Sequence, residues 1–298
     1  TVTIVWGEDK YSLFFRYLGE FSEFFMPLFV VRNIAIVPGG HGQRSTTTAI
    51  SYLRVMKSIA MIPARYAATR FPAKLMQQLG PKTVIRHTYD NTVATGLFDE
   101  VMVVTDSETI FSEITNNGGK ARMSKRPHES GSDRIAEAVA DIDTDIVVNV
   151  QGDEPFVQQK PLEKLLNVFR GEEGRSVQVA TLIQELKDPA NIADPNYVKV
   201  AVDKNMNSLM FSRSVIPYAR NKDIVITYYE HIGVYAFRKK ALLDFTQWPI
   251  TPLEAAEKIE CLRYLEYGVP IKTVLTDYMG VEIDTPEDLV KAEKLLLR

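Results

Sequence analysis

Beyond residue 57 the chain alternates short, continuous apolar runs with stretches whose apolar residues recur at helical spacing. The runs at 59–62, 100–104 (EVMVV) and 145–150 (DIVVNV) are too short and too uniformly apolar for exposed helices, and they predict buried strands. Helices are predicted over 83–94, 108–116, 132–140 and 161–169. This βαβα order predicts an α/β domain with a mostly parallel sheet covered on both faces. After about residue 177 the candidate strands crowd together, at 177–183, 198–202, 231–237 and 271–275, so the sheet is expected to become mixed or to carry a subdomain. Pro63 follows the first run, and because it cannot donate to a ladder it is expected to end that strand.

Composition narrows the class without naming a chemistry. At 298 residues and 45% hydrophobic content, the chain holds enough apolar material for one large α/β domain or two smaller ones. A net charge of -3 gives no global attraction to nucleic acid or to an anionic membrane. Cys261 is the only cysteine, which excludes an internal disulfide and a multi-cysteine zinc site and suits a reducing cytosol. The histidines at 41, 87, 128 and 231 lack HExxH spacing, so a metal would rest mainly on carboxylates, and those favour magnesium.

Residues 1–55 differ from the rest. They are crowded with Phe and Tyr and pass into GGHGQRSTTT, and Met56 has the look of a natural start. The apolar run at 24–31 is well short of the roughly 20 residues of a membrane span, and Arg16, Glu20, Glu23 and Arg32 surround it. A basic start and a small-residue cleavage site are not clear, so a signal peptide is not expected either. Gly39, Gly40 and Gly42 beside Ser45 lack the spacing of a phosphate-binding P-loop. The expectation is an N-terminal extension over 1–55, poorly ordered or not native, ahead of a catalytic domain over 56–298.

The first strand releases three cations, Arg65, Arg70 and Lys74, into a loop that would lie at the carboxyl edge of the sheet. Small Ala64, Ala67, Ala68 and Ala73 would let backbone N–H groups approach a polyphosphate with them. A basic surface loop is the plainer alternative. After the strand at 145–150, Gly152 permits a tight turn that presents Asp153 at the same edge, and an acid facing phosphates makes sense with magnesium between them. A solvated acidic turn is the alternative there. In IDTPED, Thr285 as N-cap, Pro286 at the first helical position and Asp288 as capping-box partner leave Asp284 unused, hence a candidate second metal carboxylate.

HESGSDR carries a capping pattern from Ser130 to Asp133, with Ser130, Gly131 and Arg134 alternatively closing on a base or ribose. Strand alternation in HIGVY puts His231, Gly233 and Tyr235 on one face, a polar surface for a polyhydroxylated ligand or an ordinary structural histidine. Arg213 is placed to grip a carboxylate. Glu260 is expected on a helix with apolar face Ile259, Leu262 and Leu265, projecting from the core. No GxSxG elbow and no Cys/His nucleophile pair stand out, which favours phosphoryl or nucleotidyl transfer by positioning and metal.

In order, IPARYAATRFPAK, HESGSDRIAEA, NVQGDEPF, FSRSVIPY, HIGVYAFR and VEIDTPEDL resemble the motifs of the 3-deoxy-manno-octulosonate cytidylyltransferases, over residues 56–298. The resemblance implies a nucleotide-diphospho-sugar transferase (GT-A-like) three-layer fold and a cytoplasmic homodimer. It implies that CTP and 3-deoxy-manno-octulosonate (Kdo) give CMP-Kdo and pyrophosphate for lipopolysaccharide synthesis. By the same resemblance Arg65, Arg70 and Lys74 hold the CTP phosphates, and Asp153 and Asp284 bind Mg2+. Arg65, Lys74 and Asp153 are the implied catalytic residues. Ser130, Gly131 and Arg134 lie near the cytidine, and Gln151, Arg213, His231, Tyr235 and Glu260 surround Kdo. Ala68 stands where many members have serine, Ala73 where they have glycine, and Cys261 where glutamine is common. The alternatives are a cytidylyltransferase for another acidic sugar (a sialic acid or an amino analogue of Kdo), a glycosyltransferase with its DxD at 141–145, and a non-catalytic sugar-nucleotide binder.

Overall fold

The computed structural model describes residues 2–6, 13–17, 56–67, 71–128, 130–277 and 281–297. The chain divides into two compact units, Thr1–Leu53 and Arg54–Arg298. In the first, β1 (Val2–Trp6) and β2 (Leu13–Tyr17) pair antiparallel. The rest of the expected extension, with its apolar run and its glycines, lies outside the described residues.

The second unit opens with β3 (Ser58–Ala64), a 3-10 turn at Lys74–Met76 and a small hairpin of β4 (Gln78–Leu79) and β5 (Lys82–Thr83). Next come α1 (Val84–Ala94), β6 (Glu100–Thr105), α2 (Glu108–Asn116), β7 (Ala121–Met123), α3 (Gly131–Val139), β8 (Ile146–Asn149) and α4 (Gln159–Asn167). The second half holds β9 (Val179–Leu186), α5 (Pro189–Ala193), β10 (Lys199–Val202), β11 (Ser208–Ser212) and β12 (Tyr228–Arg238). It closes with α6 (Lys239–Phe245), α7 (Pro252–Glu257), α8 (Leu262–Glu266), β13 (Ile271–Leu275) and α9 (Pro286–Leu296).

The main sheet runs β11-β10-β12-β8-β3-β6-β7, with β9 paired to β12 and β13. β8, β3, β6 and β7 are parallel, as the βαβα order predicts. β12 runs antiparallel to β8, β9 and β10, which makes the sheet mixed in its second half. Alternate residues of β3 enter two different cores. Ala60, Ile62 and Ala64 pack with α1, α2 and α4, while Ile59 and Met61 pack with α3, α6 and α8. Burial on both faces is why the central strands are continuously apolar, and it gives the three layers.

Pro63 departs from expectation, because β3 continues through it to Ala64, with Pro63 opposite Val104 of β6. Met61 O accepts from Val150 N at 3.0 Å, so Pro63, two residues on, turns its nitrogen toward the same side. There the β8 pairing has already ended at Asn149, so no ladder bond is lost.

Candidate active site

The carboxyl ends of β3 and β8 border an open cleft of about 230 Å3, lined by Ala64, Arg65, Lys74, His128, Ser130, Gly131, Arg134, Gln151 and Asp153 among others. Each element brings its residue there for a local reason. Buried Leu75 pins the 3-10 turn and so fixes Lys74 beside it. Ala73, just before, adopts a left-handed backbone at φ 52°, a conformation that glycine takes up at less cost. Ser130 caps α3 by accepting from Asp133 N at 3.1 Å. At Gly131 a Cβ would lie 3.2 Å from Pro63 Cγ, so the helix start packs directly on the end of β3. At Gly152 a Cβ would lie 3.1 Å from Pro63 O, and this close approach is what lets the Gln151-Gly152-Asp153 turn fold over the strand end.

Lys74 is the centre of the cleft's charge. Its Nζ donates to Asp153 Oδ2 at 2.5 Å and to Asp284 Oδ1 at 2.7 Å. Burial alone would lower the ammonium, but Asp153 and then Asp284, by charge and hydrogen bond, hold it above its ordinary value. Asp284 is brought in from the other end of the sequence. Ile283 is fully buried and its N–H donates to Asp153 O at 3.0 Å, which fastens the segment before α9 to the turn after β8. Thr285, Pro286 and Asp288 form the expected capping box, so Asp284 has no part in it.

Glu282 also reaches this point: one carboxylate oxygen from each of Asp153, Glu282 and Asp284 lies within 4.8 Å of the other two. Although the residue as a whole is exposed, its carboxyl is turned toward Asp153 and Asp284. Burial of that group, then Asp153 and Asp284, push it upward from the usual carboxylate range. Neighbouring Glu154 is buried and is pushed up to about 8, first by burial and then by Glu282, Asp153 and Glu230. Neither Glu282 nor Glu154 was among the expected site residues. The spacing of Glu282 two residues before Asp284 was the available signal.

The remaining candidates divide. Gln151 lines the cleft and donates to Gly233 O at 3.0 Å, linking the turn to β12. His231 and Tyr235 share one face of β12 as expected, with ring centroids 5.1 Å apart. His231 Nε2 lies 3.1 Å from Thr181 Oγ1, and burial lowers the imidazole to about 4. Burial also raises the Tyr235 phenol well above its usual value and pushes the Cys261 thiol up to about 12, which leaves Cys261 inert as a nucleophile at neutral pH. Arg134 lines the cleft from α3 while bonding Asp106 Oδ2 at 2.7 Å and Ser124 Oγ at 3.2 Å; its guanidinium holds the Asp106 carboxyl below the usual range. Arg213 is not among the residues that line this cavity; its Nε donates to Glu257 O at 2.8 Å and its Nη1 to Pro195 O at 3.0 Å. Arg70 lies outside the described residues, as does Ala68.

Glu260 corrects the expectation of an outward-facing helical acid. It occupies the turn between α7 and α8, where its Oε2 accepts from Ser132 Oγ of α3 at 2.9 Å, and burial raises its carboxyl. The helix ends early because Lys258 takes a left-handed conformation at φ 54°. Asp141, Asp143 and Asp145, which make up the two candidate DxD pairs, all precede β8, at the end of the strand opposite the cleft, with Asp141 ion-paired to Arg122 and Asp143 to Lys57.

Residues 59–274 match the family model described as Cytidylyltransferase. The 3-deoxy-manno-octulosonate cytidylyltransferase of Flavobacterium johnsoniae is 60% identical over 241 residues, covering 81% of this chain and 99% of that protein. The protein of the same name from Bacteroides thetaiotaomicron is 44% identical over 251 residues, covering 81% and 98%. Among solved structures, CMP:2-keto-3-deoxy-manno-octonic acid synthetase complexed with CTP aligns with a TM-score of 0.77 and 36% identity over 81% of this chain and 98% of its own. The 4-diphosphocytidyl-2C-methyl-D-erythritol synthase of Anaerococcus prevotii, at 19% identity and a TM-score of 0.55, shares the fold. With this fold, this order of motifs and relatives matched over nearly their whole length, the chain belongs to the 3-deoxy-manno-octulosonate cytidylyltransferase family.

Proposed function

We propose that the protein transfers CMP from CTP to the anomeric hydroxyl of Kdo, giving CMP-Kdo and pyrophosphate for lipopolysaccharide synthesis. The observation that carries this reading is the meeting of Lys74, Asp153 and Asp284 at the carboxyl edge of the sheet, in a chain 60% identical to a protein named for that activity. The sugar oxygen forms a bond to the α-phosphorus as the bond from that phosphorus to the pyrophosphate oxygen breaks, and the hydroxyl proton passes to solvent.

The residues divide the work. Arg65, Arg70 and Lys74 hold the triphosphate and neutralise the departing pyrophosphate, since positive charge stabilises most where negative charge develops in the transition state. Ser130, Gly131 and Arg134 border the nucleoside, Arg134 being pre-oriented by its bonds to Asp106 and Ser124. Gln151, His231, Tyr235 and Glu260 receive the sugar, with Gln151 joining the two halves through Gly233. Arg213 takes the sugar carboxylate by exchanging its carbonyl partners on Glu257 and Pro195 for it.

Asp153 and Asp284 hold magnesium in this reading, and their all-oxygen donor set fits a hard divalent cation. Bound there, the ion supplies positive charge to the phosphates and acidity to the attacking hydroxyl. A homodimer belongs to the same reading, supported by the exposure of Val215, Tyr218, Ile224 and Val225 on one connecting segment. So does a cytoplasmic location, supported by the single buried cysteine and the requirement for CTP.

The test is pyrophosphate release from CTP with Kdo, an amino analogue of Kdo, a sialic acid or no sugar. Release with Kdo above all others is expected. Release with another acidic sugar alone would overturn the substrate, and no release with any would favour a non-catalytic binder.

A further inference from the structure

We propose that Glu282 is a third carboxylate of the Asp153 and Asp284 site and enables it to take up a divalent cation before the nucleotide binds. The inference rests on the reading of Asp153 and Asp284 as metal ligands and extends it to a residue outside that reading. Oxygens of the three side chains lie within 4.8 Å of one another. Around a six-coordinate magnesium ion adjacent ligands stand about 3.0 Å apart and opposite ones about 4.2 Å, so closure of the three oxygens on an ion needs side-chain shifts on the order of 1 Å, within reach of rotation about the side-chain bonds. The backbone already fixes this meeting: Ile283, between the two acids, is buried in the core and bonded to Asp153 O.

A second observation points to a ligand here. Glu154 is only 5% exposed, and its Oε2 is enclosed without a hydrogen-bond partner. Glu154 follows Asp153 directly in the turn after β8, and after burial the charges that bear most on its carboxyl are those of Glu282 and Asp153, which puts that carboxyl near the cluster. Buried polar atoms in native proteins are almost always satisfied, and one left over beside three carboxylates marks a place for a cation with its water shell. Lys74 brings one positive charge to three carboxylates. A site of two protein carboxylates relies on substrate phosphates to complete magnesium's coordination; a third lets the protein hold the ion without them.

The probe is Mn2+, followed by the loss of its free-ion EPR signal on titration with the full chain, with and without CTP. The wild type is expected to take up one Mn2+ per chain without nucleotide. Glu282→Gln is expected to weaken that nucleotide-free binding at least about tenfold, with a smaller change when CTP is present. Thermal melts would confirm the fold of each variant. Glu282→Gln titrating like the wild type would overturn the proposal, as would uptake by the wild type only with CTP; in both cases the two-aspartate reading would stand. Asp153→Asn binding Mn2+ as tightly as the wild type, with and without CTP, would overturn both.

Discussion

Ala73 sits in the left-handed region at φ 52° and ψ 32°, one residue ahead of the lysine on which the cleft's charge balance turns. An alanine there carries a steric cost that glycine avoids, partly offset by glycine's greater freedom in the unfolded chain. Ala73→Gly is expected to stabilise the protein by up to about 1 kcal/mol in urea denaturation, and a destabilised variant would refute the strain. His231 offers a pH-dependent test. Burial lowers its imidazole from 6.5 to about 4, so on acidification the unfolded chain accepts a proton that the folded chain refuses. The contribution of the neutral ring is present above pH 6.5 and is lost as the pH falls toward 4. Between pH 7.5 and 5 that loss is roughly 2 kcal/mol. Comparing denaturation of the wild type and His231→Gln at the two pH values isolates it, and equal pH slopes would count against a neutral buried imidazole.

At the scale of elements, the strand-to-turn junction after β8 governs where Asp153 points. Gly152→Ala sets a Cβ about 3 Å from Pro63 O and from the Ile85 and Leu75 methyl groups, tighter than backbone and core side chains tolerate without moving. Turnover is expected to fall at least about tenfold from displacement of the catalytic turn, since small misplacements of positioned groups are costly. Steady-state kinetics alongside a thermal melt would show it, and unchanged kcat would mean the turn absorbs the methyl group. The central strands were legible because burial on both faces makes them continuously apolar, and α1 to α4 because their apolar spacing is clean. β7 escaped notice because its three residues are all half-buried and carry no alternation. The early end of α7 escaped because Lys258 adopts a left-handed turn that sequence signals with glycine, and Glu260 was misassigned in consequence. Pro63 misled because a ladder position is forbidden to proline only where a neighbour is present to accept its missing bond.

Across the whole molecule, the site joins segments about 210 residues apart, since Lys74 bonds Asp284 directly. The three acids are unequally legible: Asp284 stands out as a carboxylate left over once the cap is accounted for and Asp153 as one that the Gly152 turn presents at the sheet edge, whereas Glu282 needs the fold to show its direction. The exposed segment with Tyr218 and Val225 bears on assembly. Val225→Asp is expected to shift a dimer toward monomer in sedimentation at micromolar concentration, and an unshifted dimer would put the interface elsewhere. The decisive measurement compares the wild type with Asp153→Asn for pyrophosphate release from CTP and Kdo with magnesium, checking the fold of both by thermal melting. Kdo-dependent release by the wild type is expected, with a loss of at least about a hundredfold in the variant and the fold retained. Undiminished release by Asp153→Asn would contradict the chemistry assigned to the cleft.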